Sequence, residues 1–435
     1  MTALAADVML RRRGLPSVLK IGVAPGRSEP GRFEAHAWVA SDGLIVSGEV
    51  DGLADYIPLE NTTTRIEDAL STIVRGEPIG WQALGSTAAR VAESCARHDL
   101  TGVILDTLRG PAGADWPAEI VEALERDCRG AAAVEAVRRR ELITVLSSLA
   151  AEGVRPVLFK GAALAYDVYV SPEARPRNDV DLLIRREELD AARRVMRRLG
   201  YTSPTYCDGE LIFCQVEMSK RDGLGIDHAF DFHWKISTQV AFADALTYEE
   251  ALDGSARLPA LGRHAVIAGP VHALLIACIH PAMHHRNEER LLWIYDVHLL
   301  ASRLSALQLE RFAALAIEKR VAAVCARQLR LARNRFGSHI PDDVLDALAS
   351  PPSPEATARY LQPGRRWHHE LVTSIRGLPA WRDRLQLARE VLLPNREYMM
   401  AAYGVPPGAR HAAVLPALYL HRAASGAWKV LRGRK

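Results

Sequence analysis

The stretch that decides the fold is Val157-Leu-Phe-Lys-Gly-Ala-Ala-Leu-Ala-Tyr166, followed by Arg177-Asn-Asp-Val-Asp-Leu-Leu-Ile184. Each part contains a short apolar run typical of a buried strand, and the first run leads into a helical segment at Gly161. Asp179 and Asp181 stand two residues apart at the start of the second strand, so the pleat points both carboxylates to the same side. The pattern therefore predicts a sheet that carries a pair of acidic side chains.

This acidic pair predicts a metal site. Two close carboxylates raise each other's pKa, and gathering them is costly unless a cation neutralises them. A third carboxylate, Asp231, begins the strand-like run Asp231-Phe-His-Trp-Lys-Ile236 and could face the pair from a neighbouring strand. Three aspartates are the usual protein share of a Mg²⁺ site, whose other positions go to water and phosphate oxygens. We therefore expect Asp179, Asp181 and Asp231 to be catalytic and to bind two Mg²⁺ ions.

The residues before the pair are typical of a phosphate-binding loop. Gly161 follows the first strand and opens a helix, so backbone N–H groups and the helix dipole can face a nucleoside triphosphate. Lys160 could add a point charge, and Arg177 could either hold a phosphate or form an ion pair with the carboxylates. Lys160, Gly161 and Arg177 are therefore the predicted nucleotide-binding residues.

Together these motifs resemble the uncharacterised bacterial nucleotidyltransferases of the polymerase-beta superfold. The resemblance rests on Phe159-Lys160-Gly161-Ala162, Arg177…Asp179-Val-Asp181-Leu-Leu and Asp231-Phe-His233-Trp234. It spans most of residues 70–435 and implies metal-dependent transfer of a nucleotidyl or related phosphate-linked group. The wider superfamily has Gly-Ser after the first strand, where the serine helps to hold a phosphate, whereas this chain has Gly161-Ala162.

A histidine-rich helix is predicted further along the chain. His280, His284 and His285 precede Arg290-Leu-Leu-Trp-Ile-Tyr-Asp296, and the first two have the four-residue spacing of a zinc-binding helix. The intervening Pro-Ala-Met lacks the glutamate base of a metalloprotease, which argues against that class of enzyme. We expect this helix to line the nucleotide cleft or to pack in a helical domain, with Arg290 and Asp296 supporting the site.

The N-terminal segment has a second recognisable pattern. Leu10-Arg-Arg-Arg-Gly14 and Ala35-His36-Ala-Trp38…Asp42-Gly43 resemble the transglutaminase-like leader peptidase of lasso-peptide biosynthesis. In that family a Cys, His and Asp triad cleaves a precursor peptide, and His36 and Asp42 match the base and its orienting acid. No cysteine precedes Cys95, so we expect no peptidase activity from the chain as given. Either the start codon is misassigned, or the segment is a relic that packs or binds peptide.

Composition limits the classes of partner and compartment. The 435 residues include 55 Lys and Arg against 52 acidic residues, a balance that does not favour nucleic acid as a substrate. Six cysteines are scattered without CxxC spacing, which is typical of reduced thiols. No apolar run approaches the roughly 20 residues that a transmembrane helix needs. We therefore predict a cytoplasmic protein without a transmembrane segment.

The periodicity along the chain predicts an α+β protein with three parts. Residues 1–62 form a truncated transglutaminase-like fragment, and residues 70–345 form a nucleotidyltransferase-like domain in which a helical layer precedes a mixed sheet. Residues 346–435 form a C-terminal helical extension. In the central domain, strands are expected at 156–159, 180–184, 211–216 and 226–234, and a helix is expected at 187–199.

Two functions remain open at this point. The first is a Mg²⁺-dependent nucleotidyltransferase that uses a nucleoside triphosphate to modify a peptide or a small molecule, with a lasso-peptide precursor and its cyclase as expected partners. The second is a maturation-accessory protein, in which the defective peptidase domain binds a leader peptide and the nucleotide domain senses or holds substrate.

Overall fold

The computed structural model describes the chain over residues 2–12, 17–23, 35–41, 44–50, 53, 56–203, 209–362, 374–375, 378, 380–405 and 414–432. The chain divides into two compact units, Met1–Glu125 and Arg126–Lys435. Within the described stretches, no helix combines the length and the apolar character needed to cross a bilayer.

The first unit combines a small antiparallel sheet with helices. Its strands are β1 Val18–Val23, β2 Ala35–Ser41, β3 Leu44–Ser47 and β4 Ile57–Pro58, in the spatial order β3-β2-β1-β4. Its helices are α1 Thr2–Arg12, α2 Leu59–Val74, α3 Ala88–Arg97 and α4 Thr101–Leu108. Trp38 of β2 and Tyr56 are buried together. The predicted α+β character of this segment is confirmed.

The second unit is built around a six-stranded sheet. Its strands are β5 Val157–Phe159, β6 Val180–Leu183, β7 Gln215–Arg221, β8 Asp227–His233, β9 Ala256–Arg257 and β10 Val266–Ile267. They are arranged in the order β7-β8-β6-β5-β10-β9. β8 runs parallel to β6, whereas β7 is antiparallel to β8 and β5 is antiparallel to β6. The predicted mixed sheet is therefore confirmed.

Helices precede, interrupt and follow this sheet. The boundary between the two units falls within the long helix α5 Ala118–Ala151. The later helices are α6 Lys160–Asp167, α7 Leu189–Arg198, α8 Val240–Ala243, α9 Tyr248–Asp253, α10 Pro270–His284, α11 Leu291–Arg303, α12 Ala306–Glu318, α13 Ala322–Phe336, α14 Asp342–Ala349, α15 Trp381–Leu392, α16 Arg396–Ala402 and α17 Leu415–Arg432.

One strand lies later in the sequence than predicted. The apolar pattern placed it at 211–216, but β7 begins at Gln215. The backbone N–H groups of Glu210, Leu211 and Ile212 donate instead to the carboxylate of Glu390 on α15, at distances of 2.8, 3.1 and 3.0 Å. These backbone N–H groups are therefore satisfied by a side chain of α15 and not by a neighbouring strand. The local sequence pattern does not reveal a partner so distant in the chain.

A hydrophobic core of the second unit lies on one face of its sheet. Phe230 and Phe232 of β8 and Leu182 of β6 pack in a buried cluster to which α5 and α7 also contribute. Because successive side chains of a strand point to opposite faces, Asp231 and Asp181 lie on the other face. The core thus fixes the direction in which the acidic side chains project.

Candidate active site

The acidic residues of the central motifs meet on one face of the second unit's sheet. β6 and β8 are parallel neighbours, and Asp181 lies opposite Asp231 in their register. His233 follows two residues after Asp231 and therefore shares its face of β8. One potential ligand atom from each of Asp181, Asp231 and His233 lies within 4.8 Å of the other two. We call these residues the three-ligand group.

Asp181 is buried and accepts two hydrogen bonds through one oxygen. The Lys160 ammonium lies 2.7 Å from Oδ1, and His233 Nε2 lies 2.9 Å from the same atom. Burial alone would raise the pKa of Asp181, but the Lys160 ammonium and the His233 hydrogen bond hold it well below its usual value. Asp181 is therefore an ionised carboxylate at neutral pH, to which His233 donates its Nε2 proton.

The three-ligand group also contains buried acceptors without a donor. Among the described residues, none forms a hydrogen bond with Asp231 Oδ1 or with His233 Nδ1, although both atoms are buried. Since Nε2 carries the ring proton of a neutral His233, Nδ1 holds a lone pair. Buried acceptors of this kind are costly unless something satisfies them. Oxygen and imidazole ligands of this arrangement fit a divalent cation.

Asp231 is electrostatically the most perturbed carboxyl of the group. Burial, followed by repulsion from Asp181 and Asp179, raises the pKa of Asp231 to about 7. Burial likewise lowers the pKa of His233, and the Lys160 ammonium adds to this effect. The site thus combines one firmly ionised carboxylate, one carboxyl that titrates near neutrality and one neutral imidazole.

Asp179, predicted as a metal ligand, lies at the edge of this arrangement. It immediately precedes β6 and its side chain is exposed, and it is not a member of the three-ligand group. Partial desolvation by neighbouring atoms, together with repulsion from Asp181, nevertheless raises the pKa of Asp179. Its charge therefore acts on the site from the solvent-exposed side.

Lys160 and Gly161 form the start of α6 beside the three-ligand group. Lys160 has a φ of +54°, a left-handed conformation that costs free energy for a residue with a side chain. Gly161 is closely packed, because a Cβ there would lie 3.2 Å from Nη1 of Arg175 and 3.5 Å from Cβ of Arg177, so a side chain would need the Arg175 guanidinium to shift slightly. In this left-handed conformation, the Lys160 side chain reaches Asp181 and donates a hydrogen bond to it.

Arg177 forms an ion pair with Glu135, a residue that was not predicted to belong to the site. Its Nη2 donates to Glu135 of α5 at 2.6 Å, and its guanidinium lies 5.5 Å from the ring centre of Tyr166. Arg138 donates to the Arg177 carbonyl at 2.7 Å. Arg177 therefore pairs with Glu135, and neither Asp179 nor Asp181 is its hydrogen-bond partner in the described contacts.

The histidine-rich segment forms the end of α10, which packs against α6. Burial lowers the pKa of His284 to about 3, and the nearby Lys160 and His233 contribute to this shift. The histidine segment therefore lies near the three-ligand group without belonging to it among the described residues.

The two residues expected to support the site make different contacts. Asp296 of α11 binds Arg175 through two oxygens, with Nε and Nη2 at 3.0 and 2.8 Å, and also accepts from the Tyr169 hydroxyl at 2.6 Å. Arg290 lies 5.4 Å from the ring centre of Trp293. Asp296 thus holds the side chain of Arg175, which packs against Gly161.

The peptidase-like residues of the first unit can be described only in part. His36 donates from Nε2 to the carbonyl of Gly48 at 2.7 Å, and its ring lies 5.6 Å from that of Tyr56. Asp42 lies outside the described residues. Nε2 of His36 is therefore hydrogen-bonded to the backbone carbonyl of Gly48.

The perturbed carboxyl gives a pH-dependent expectation. Because the pKa of Asp231 is about 7, cation binding below this pH must displace a proton, so the affinity should fall by about tenfold per pH unit below 7 and level off above it. Without the cation, the folded state keeps a proton that the unfolded chain releases, so stability should decline as pH rises from about 4 to about 7.

Titration of Mn²⁺ by electron paramagnetic resonance across this pH range measures the first effect. Asp231→Asn should bind Mn²⁺ more weakly and lose the pH dependence, whereas an affinity that is independent of pH in the wild-type protein would contradict the assignment.

Comparison with known families agrees with this geometry. A profile of the transglutaminase-like superfamily matches residues 1–61, and a search of curated proteins finds no match. A profile described as an uncharacterised nucleotidyltransferase matches residues 86–337, more than half of the chain, and includes every member of the three-ligand group. Two carboxylates on adjacent strands beside a Lys-Gly helix start are thus found within this matched region, and the chain belongs to the uncharacterised nucleotidyltransferase family.

Proposed function

We propose that this protein is a metal-dependent nucleotidyltransferase that moves a nucleotidyl or related phosphate-linked group from a nucleoside triphosphate to a peptide or small-molecule acceptor. In nucleotidyl transfer, the acceptor hydroxyl oxygen forms a bond to the α-phosphorus, the bond from that phosphorus to the bridging oxygen breaks, and pyrophosphate leaves. The observation that carries the proposal is the three-ligand group, in which a buried carboxylate oxygen and an imidazole nitrogen lack hydrogen-bond partners among the described residues. Membership of the family supports transferase chemistry at this place.

The proposed cation is Mg²⁺, held by Asp181 and Asp231, with His233 as a third ligand and Asp179 available to a second ion. A bound cation would neutralise phosphate charge and polarise the phosphorus centre under attack. Mn²⁺ suits the same mixture of oxygen and nitrogen ligands and is a useful probe.

The protein's own residues then have separate tasks. Lys160 and the first N–H groups of α6 bind phosphate oxygens at the helix N-terminus, where the helix dipole favours an anion. Asp231 accepts the proton of the attacking hydroxyl, because its Oδ1 is buried in the site and has no hydrogen-bond partner among the described residues. Arg177 supports the site through its pairing with Glu135.

The proposed acceptor is a ribosomal peptide, and the proposed setting is lasso-peptide biosynthesis in the cytoplasm. The transglutaminase-like match over residues 1–61 supports this setting. We assign residues 1–62 to this fragment, 70–345 to the transferase domain and 346–435 to its helical extension. The same match favours an alternative, an accessory protein that binds a leader peptide through the first fragment and lacks transfer activity.

Calorimetric titration with ATP, CTP, GTP and UTP in the presence of Mg²⁺ separates these functions. The transferase proposal predicts binding of at least one nucleotide, followed by transfer of radiolabel to an acceptor peptide. Binding without transfer to any supplied precursor peptide would favour the accessory role, and an absence of Mg²⁺-dependent nucleotide binding would contradict the transferase proposal.

A further inference from the structure

We propose that His280 and His284, at the end of α10, bind the phosphate chain of the nucleoside triphosphate. This inference rests on the proposed function and deepens it. It adds residues of α10 to the phosphate-binding site that the start of α6 provides. The sequence motifs predicted Lys160, Gly161 and Arg177 as nucleotide-binding residues and did not include these histidines.

The first argument is position. α10 packs on α6, the helix whose first residue is Lys160. His280 and His284 are one helical turn apart on the same face, and their ring centres are 5.7 Å apart. Both rings interact electrostatically with Lys160 and with Asp181. The two imidazoles therefore lie near enough to Lys160 and Asp181 for both charges to act on them.

The second argument is their lack of hydrogen bonds. Nδ1 of His280 and Nε2 of His284 are buried, and no hydrogen-bond partner for either is present among the described residues. The ring of His280 is held in place by an edge contact with Trp293, with ring centres 5.5 Å apart. Buried polar atoms are nearly always paired, so two orphan imidazole nitrogens on a fixed wall indicate a ligand-binding surface.

The third argument decides the charge of the ligand. α10 packs against α6, whose first residue is Lys160, so the N-terminus of α6 and the Lys160 ammonium place positive charge near the histidines. A helix N-terminus and an ammonium group both favour an anion. In the described part of the chain, the residues with metal-ligand spacing do not include these histidines. A phosphate chain, which accepts hydrogen bonds from neutral N–H groups, is the fitting ligand.

The fourth argument is that the start of α6 has few side-chain donors to offer. Ala162 carries none, and Lys160 must serve Asp181 as well as a phosphate. Arg177 gives Nη2 to Glu135, whereas its Nε and Nη1 have no partner among the described residues. A triphosphate presents many acceptor oxygens. Imidazole N–H groups on α10 would add donors to those that Lys160, Arg177 and the first N–H groups of α6 can offer.

The test compares His280→Leu and His284→Leu with a control on the same helix, His272→Leu, which lies next to Gly254 near the start of α10. Each variant is titrated with inorganic tripolyphosphate, and with the nucleotide that binds the wild-type protein, in the presence of Mg²⁺. Loss of one hydrogen bond to a charged group predicts affinities weaker by about tenfold to a hundredfold for the two site variants. His280→Gln and His284→Gln, which keep a donor, should recover most of the affinity, and His272→Leu should match the wild type.

Binding of Mn²⁺ without phosphate is measured on the same proteins and should be unchanged. Unaltered tripolyphosphate and nucleotide affinities in the Leu variants would overturn the inference, as would a loss of Mn²⁺ binding, which would make the histidines metal ligands. Should a Leu variant fail to fold, ¹⁵N-histidine NMR of the wild-type protein decides: tripolyphosphate must move the His280 and His284 resonances but not that of His272. Failure of the wild-type protein to bind any nucleotide would instead contradict the proposed function itself.

Discussion

Replacing Asp181 by asparagine is expected to slow group transfer by about a thousandfold or more, since loss of a metal ligand removes several kcal/mol of transition-state stabilisation. The Asp181 carboxylate accepts from both Lys160 and His233 and lies opposite Asp231 in the sheet register. Asparagine keeps the shape of the side chain but removes the charge. The cation would lose a charged ligand, and the Lys160 ammonium would lose its counter-charge.

Rate measurements at saturating Mg²⁺ should accompany titration with Mn²⁺, because the mutation is expected to weaken cation binding as well as transfer. A matched control is Asp227→Asn, at the exposed start of the same strand as Asp231, which should leave both quantities unchanged. Wild-type rates in the Asp181→Asn variant would place the chemistry elsewhere in the molecule.

Replacing Asp296 by alanine is expected to lower the free energy of unfolding by about 3–5 kcal/mol, because it leaves a buried arginine without its counter-charge. The side chains of Arg175 and Asp296 are only 9% and 5% exposed. The Tyr169 hydroxyl would also lose its acceptor. Since Arg175 packs against Gly161, we expect nucleotide binding to weaken together with stability.

Denaturant unfolding of the variant measures this effect. The control is Asp167→Ala, which breaks an ion pair with Arg303 whose side chains are 37% and 50% exposed, and which should cost less than about 1 kcal/mol. Equal stabilities of the Asp296→Ala and Asp167→Ala proteins would contradict the assignment of the buried pair as a structural anchor of the site.

Much of the architecture around the site followed from local patterning. Short apolar runs at the motif residues became β5, β6 and β8, because strands buried on a sheet need continuous or alternating apolar side chains. The two-residue period also explains why Asp231 faces Asp181 once β6 and β8 pair in parallel. The same period placed His233 beside Asp231. We did not predict His233 as a ligand, although its spacing from Asp231 equals that between Asp179 and Asp181.

Other features depend on contacts between distant parts of the chain. The partner of Arg177 is Glu135, one charged residue among many in the 34-residue helix α5, and nothing local marks it. Glu390 holds the backbone ahead of β7 from an equally distant helix. β9 and β10 have two residues each, too few for a periodic pattern. These elements are specified by tertiary packing and so could not be read from the sequence.

The most direct test of the proposed site is a crystal structure of the protein with Mn²⁺ and a non-hydrolysable nucleoside triphosphate analogue, with anomalous scattering recorded at the manganese edge. The proposal predicts an anomalous peak in contact with Asp181, Asp231 and His233, with phosphate oxygens completing its coordination. A map in which the nucleotide is bound but manganese lies away from these three side chains would contradict it.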